Sequence, residues 1–119
     1  MAERPLPVVS DPDTGGFFAA ARRGELAVAA CRGCGAVLWL PKPYCADCGG
    51  WDTEWRVVSG EGRLYSWTTV EHQLHPAFPV PYTVVLVELD DAPGTRLVGY
   101  LPGSPELSAG IPMQAWFEP

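Results

Sequence analysis

Cys31-Arg32-Gly33-Cys34-Gly35 and Cys45-Ala46-Asp47-Cys48-Gly49 decide how this chain is read. They hold all four cysteines, as C-x2-C, ten intervening residues and a second C-x2-C. Two residues between thiols let one tight turn aim both sulfurs at a single ion, and two such turns complete a tetrahedral four-cysteine site. A glycine follows each second cysteine, where a positive φ frees backbone amides to point at the thiolates and disperse their charge. Zinc is the expected metal, and iron fits the same ligands as the alternative. Four sulfurs close the coordination shell and leave no position for a reacting water, so the ion is expected to be a structural brace. Arg32 and Lys42, in or beside the knuckles, are expected to offset part of the negative charge that four thiolates leave on a dication. Two disulfides are disfavoured by the expected cytoplasmic compartment, and a redox motif would need one pair rather than two.

Outward from the knuckles, Leu26–Ala30 is expected to be a strand leading into the first, and Ala36–Leu40 a strand between them. Pro41-Lys42-Pro43-Tyr44 turns the chain back. Residues 26–55 thus form a small zinc ribbon that the metal holds together, since so short a segment cannot bury a core of its own. Residues 1–25 are expected to be a Pro-rich arm over 1–12 followed by a short helix. Asp13 or Thr14 caps that helix, Phe17, Phe18, Ala21 and Arg22 lie along it, and Gly24 stops it. Residues 56–119 are strand-like pieces between turn residues. Gly60-Glu61-Gly62 is a turn or bulge, with strands on either side of it or one long strand bending there. Arg63–Glu71 alternates, with Leu64, Ser66, Thr68 and Val70 on one face. His72–Pro81 is a polar, Pro-rich loop; Tyr82–Leu89 is a strand; Asp90-Asp91-Ala92-Pro93-Gly94 is a hairpin turn; Thr95–Leu101 pairs back. Pro102–Gly110 is a loop with room for a helical turn, and Ile111–Phe117 closes the chain with Ile111, Met113, Ala115 and Phe117 on one side. The fold class is mainly β: a short N-terminal helix, a four-cysteine zinc ribbon and a C-terminal OB-fold barrel.

Composition narrows the function. A chain of 119 residues is one domain or two very small ones, and 47% hydrophobic with 18% charged residues argues against disorder. Seven arginines and one lysine against 14 acids make a poor trap for phosphates, so nucleic acid is disfavoured, although a single-stranded nucleic-acid-binding OB-fold is the alternative reading. No apolar run approaches the ~20 residues of a membrane span, and the N-terminus lacks the order of a signal peptide, so a cytoplasmic protein is expected. Met1 is compatible with a stand-alone gene. No G-x-S-x-G, H-E-x-x-H or Gly-rich phosphate loop is present, and Asp90-Asp91 sits where a turn favours Asp, so no independent catalyst is expected. The Tyr82 strand is apolar on both sides, where a solvated sheet face would be polar. Together with Trp39, Trp51, Trp55, Trp67 and Trp116 that surplus points to a large protein interface.

In sum the order is Phe17-Phe18, Gly24-Glu25-Leu26, the first knuckle, Pro41-Lys42-Pro43, the second knuckle, Trp55, Ser59-Gly60-Glu61-Gly62, Ser66-Trp67-Thr68-Thr69-Val70, Pro81-Tyr82 and Gly110-Ile111-Pro112-Met113. From about residue 14 onward the chain resembles the acyl-CoA-associated OB-fold family with a rubredoxin-like zinc ribbon, long listed as a domain of unknown function. It departs at Ala46, where proline is common. The resemblance implies a non-catalytic partner of thiolase-superfamily enzymes. In archaea such partners accompany acetoacetyl-CoA thiolase and HMG-CoA synthase. In actinobacteria they accompany lipid-transfer-protein-like aldolases that shorten steroid side chains, sometimes fused to a MaoC-like hydratase domain. It further implies structural zinc on Cys31, Cys34, Cys45 and Cys48, a cytoplasmic accessory subunit of an acyl-CoA lyase or acyltransferase complex, and only indirect handling of acyl-CoA. Phe17, Phe18, His72, His75, Phe78 and Tyr82 are the candidates for contact with the partner or the pantetheine. An independent acyl-CoA carrier or a small electron carrier is the third possibility.

Overall fold

The protein, described by a computed structural model over residues 6–7 and 10–117, is one short helix and six strands. The elements are α1 (Gly15–Arg22), β1 (Leu26–Cys31), β2 (Thr53–Val58), β3 (Glu61–Val70), β4 (Tyr82–Leu89), β5 (Arg96–Pro102) and β6 (Pro112–Gln114). The arm expected over residues 1–12 lies largely outside the described residues.

α1 begins after Thr14, its N-cap residue, and no side chain caps its first amides. Asp11 accepts from the Asp13 amide (3.0 Å) and from Thr14 Oγ1 (2.7 Å), closing the turn that launches the helix. The helix stops as expected. Gly24 N–H donates to the Ala21 carbonyl and Glu25 N–H to the Ala20 carbonyl, both 2.9 Å, the paired closure that a left-handed residue after the last turn allows. Eight residues are marginal as a free helix, and α1 is held by packing on β1 and β2. A Cβ on Gly16 would run into the Trp55 ring, so a residue without a side chain is what lets this turn seat on β2.

One compact unit holds α1, β1, β2 and the cysteine knuckles. β1 and β2 pair antiparallel, Leu26 opposite Val58 and Cys31 opposite Thr53. All six residues of β1 are buried, which is why Leu26–Cys31 is apolar without alternation. The expected strand Ala36–Leu40 does not form: only one bridge, Ala30 to Val37, is made. The knuckle before it and Pro41 and Pro43 after it leave room for two ladder bonds, Cys31 N–H to the Ala36 carbonyl and Leu38 N–H to the Ala29 carbonyl, both 2.8 Å. The strand placed after Trp55 begins instead at Thr53 and ends at Val58.

The second unit is the sheet β5-β4-β3-β6, all pairs antiparallel, which supplies the OB-fold half-barrel. β4 and β5 form the expected hairpin, closed by Leu89 N–H to the Thr95 carbonyl and Thr95 N–H to the Ala92 carbonyl (3.0 Å each). The core lies on the face of Leu64, Thr83, Val85 and Leu89, and the buried Thr83 hydroxyl is satisfied by donating to the Gly103 carbonyl at 2.9 Å. A β-bulge corrects the expected faces of β3. Leu64 lies opposite Val87 and Ser66 opposite Leu86, so Tyr65 is an extra residue and the alternation inverts beyond it. Trp67 and Thr69 therefore join Leu64 on the face of Val85 and Thr83, while Ser66, Thr68 and Val70 turn to the face of Leu86, Val84 and Tyr82. No helical turn forms in Pro102–Gly110, and the closing strand is only Pro112–Gln114, paired with Glu61–Arg63. Ile111, Met113, Ala115 and Phe117 are nonetheless the half-buried positions, alternating with exposed ones.

Candidate metal centre

The two knuckles repeat one backbone design. Cys31 N–H donates to the Ala36 carbonyl and Cys45 N–H to the Gly50 carbonyl, 2.8 Å each. Gly35 N–H returns to the Cys31 carbonyl (2.8 Å) and Gly49 N–H to the Cys45 carbonyl (2.7 Å). Both closures need the residue after the second cysteine in the left-handed region, and Gly35 and Gly49 sit there with φ of 80° and 75°. An L-residue at either place would strain the turn that carries the sulfur.

The four Sγ atoms all lie within 4.8 Å of one another, with Cys31–Cys48 at 3.5 Å and Cys34–Cys45 at 3.6 Å. The cysteines are free, and these distances are far beyond an S–S bond of about 2 Å. Zn–S bonds of about 2.3 Å in a tetrahedron place sulfurs about 3.8 Å apart, so the cluster fits a zinc ion held by Cys31, Cys34, Cys45 and Cys48. Zinc would supply a structural clamp here, because all four tetrahedral positions are taken by protein sulfur.

Electrostatics within the cluster suit a dication. The Cys34 amide, aided by the Cys48 thiol, brings the Cys31 thiol down to about 7. Ala36 N–H acts to lower Cys34, but the Cys45 and Cys31 sulfurs outweigh it and push that thiol up to about 12. Cys48 is raised as well: the Gly50 amide favours its thiolate and the Cys31 sulfur opposes it. Without a metal the sulfurs resist a second charge once one has ionised, and a dication removes that resistance. Because the ion displaces protons, its grip weakens as pH falls.

Cys31 and Cys45 are also core residues, packed with Ala29 and Leu38 against Ala36 and Trp55. Arg32, expected to offset the thiolate charge, pairs instead with Asp52 (3.1 Å) and Glu54 (3.9 Å). Arg56, not anticipated from sequence, donates to the Gly35 carbonyl at 3.2 Å and steadies the first knuckle from β2.

The six expected contact residues are divided between the two units. Phe17 and Phe18 meet edge to face (5.1 Å), and Phe17 lies 5.5 Å from Trp39. In the other unit His75, Phe78 and Tyr82 come together, with centroids 5.7 Å (His75–Phe78) and 6.3 Å (Phe78–Tyr82) apart. Tyr100, missed from sequence, completes that cluster at 5.8 Å from Phe78 and 5.3 Å from Tyr82, because β5 sets it opposite Val84. Ala77 N–H donates to His75 Nδ1 at 3.0 Å, which holds the ring against its own loop. His72 is exposed and outside the cluster. Trp51 and Trp116 are exposed, and Trp67 is partly so. Among the described residues no helix is long and apolar enough to cross a membrane.

Comparison with known proteins agrees with this architecture. Residues 18–54 match the family described as the ChsH2 rubredoxin-like zinc ribbon domain, and residues 55–118 that described as the ChsH2 C-terminal OB-fold domain. The chain is 38% identical over 120 residues to a probable enoyl-CoA hydratase alpha subunit of Thermomonospora curvata. That alignment takes in 98% of this chain and 37% of the relative, so the chain spans little more than a third of the relative's length. The solved Ltp2-ChsH2(DUF35) aldolase superposes with a TM-score of 0.83 at 35% identity, over 97% of this chain and 89% of that one. A DUF35-family protein of unknown function from Sulfolobus solfataricus superposes at 0.58 with 16% identity, over 83% of this chain and 73% of its own, a likeness of fold.

Proposed function

This chain belongs to the ChsH2 family of zinc-ribbon and OB-fold proteins, and from that membership we propose that it is a non-catalytic accessory subunit of a thiolase-like acyl-CoA enzyme. The observation that carries the reading is the likeness to the Ltp2-ChsH2(DUF35) aldolase, in which a chain of this fold and length is named together with a second component. By that likeness the partner is a lipid-transfer-protein-like retro-aldolase that cleaves steroid side chains. A Claisen-type acyltransferase of the same superfamily would use the same surface chemistry. A hydratase of the MaoC type is a further component of the assembly, a proposal supported by the name of the longer Thermomonospora relative. The complex works in the cytoplasm.

Physical features agree with a supporting role. The four cysteines, which form the metal cluster, are committed to structure. His75 is held by its own loop, and the exposed tryptophans are more apolar surface than a solitary small protein needs. The chain's part is to bury apolar surface of the partner and so complete its acyl-CoA site. His75, Phe78 and Tyr82 in one unit, and Phe17 and Phe18 in the other, are the residues proposed to meet the partner or the pantetheine arm.

Co-expression with a thiolase-superfamily enzyme from the same genome is the test. The expected result is co-purification at fixed stoichiometry and a partner that is less soluble when expressed alone. A partner that is fully soluble and never co-purifies would refute the reading.

A further inference from the structure

The sheet unit has a second face, opposite its core, that is built for contact. Register places Val84, Leu86, Val98 and Tyr100 on it together: Tyr100 lies opposite Val84 and Val98 opposite Leu86. Tyr82 continues the row on β4, and the Phe78 ring reaches it from the preceding loop. Ser66 and Thr68 of β3 and the Glu88–Arg96 pair share this face, and beside them Val98 stands 72% exposed on the edge strand, an apolar patch that water alone would not favour.

Charge selects what covers it. The segment Glu61–Gln114 that forms this unit carries six carboxylates against two arginines, and the whole chain has a formal net charge of −6. The two arginines are spent locally. Arg96 lies over the Tyr65 ring at 3.9 Å and pairs with Glu88 at 3.6 Å, and Arg63 donates to the Gly110 carbonyl at 3.2 Å. A second copy would bring the same negative charge to the contact, and nucleic acid or an anionic lipid surface would bring more. A protein whose apolar patch is bordered by arginine and lysine meets both the apolar centre and the field around it.

We propose that the β4–β5 face centred on Val98 is the docking surface for the partner enzyme, and that the partner's matching surface is basic. This rests on the accessory-subunit reading and adds to it the face and the sign of the partner's charge. Affinity then comes from burying Val98, Leu86 and the adjoining rings, and speed of encounter from the opposed fields.

The experiment measures the affinity of the zinc-loaded full chain for the co-purifying thiolase-superfamily enzyme, using V98R and V98D. Val98 is exposed, so zinc content and far-ultraviolet circular dichroism should not change. Both Val98 variants put a charge into the apolar centre, and their difference reports the sign of the neighbour. V98R is expected to weaken binding by about a hundredfold and V98D by about tenfold, with wild-type association slowing as salt is added. Wild-type affinity for both Val98 variants, with the complex otherwise intact, would overturn the face while leaving the accessory role standing. A V98D complex weaker than V98R would overturn the basic partner. Self-association of the chain alone that V98R abolishes would assign the face to a second copy instead. A wild-type chain that binds no such enzyme would overturn both the face and the accessory role.

Discussion

Serine at Cys34 or Cys48 is expected to strip the metal and unfold the cysteine-bearing unit. Both side chains are exposed, so the exchange of sulfur for oxygen removes no core packing and isolates the contribution of the ion. A hydroxyl does not replace a thiolate in a zinc site, and structural zinc in small ribbons is worth about 10–16 kcal/mol near neutral pH. That matches or exceeds the ~5–15 kcal/mol that holds a whole domain together. The consequence spreads because the other two ligands, Cys31 and Cys45, lie in the core with Ala29, Leu38 and Trp55, and a loosened knuckle takes the end of β1 with it. Metal analysis should fall from one zinc per chain to near none, and the near-ultraviolet circular dichroism of Trp39 and Trp55 should flatten. A variant that keeps its zinc and its aromatic signal would remove the brace from this account.

Leu64→Ala should cost stability of another kind. Leu64 is 2% exposed and is the largest fully buried side chain of the sheet unit, on the face shared with Val85 and Leu89. Its truncation leaves a cavity beside a bulge, where the backbone is already set by Tyr65 and has little room to collapse. A loss of about 3 kcal/mol in chemical denaturation is expected, with zinc content unchanged because all four ligands belong to the other unit. Trp51, 73% exposed, is the control, and W51A should shift the midpoint little. A loss under about 1 kcal/mol at Leu64 would mean that the core is not where the burial pattern puts it.

What the chain disclosed unaided was chemistry of short range. C-x2-C fixes two sulfurs within one turn, so the cluster and the role of Gly35 and Gly49 follow from spacing. Asp90–Gly94 between two apolar runs is equally local and gives the β4–β5 hairpin. The misreadings share one cause, which is information held by a distant partner. Thr53–Val58 pairs with β1 across the knuckles, and no local pattern says so. The bulge at Tyr65 is defined only against Val87 and Leu86, and without it the alternation of Leu64, Ser66 and Thr68 looks unbroken. Ala36–Leu40 has the composition of a strand, but the turns around it leave a single bridge. Tyr100 and Arg56 escaped notice because a tyrosine and an arginine on strands carry no signal until register places them beside Tyr82 and Gly35.

The most direct measurement is turnover of an acyl-CoA aldol substrate by the proposed thiolase-superfamily partner alone, by this chain alone and by the two together, with the zinc-loaded full chain. No turnover is expected from this chain, little from the partner, and full activity only from the complex. A partner at full rate without this chain, or a chain that converts substrate by itself, would rule out an accessory subunit.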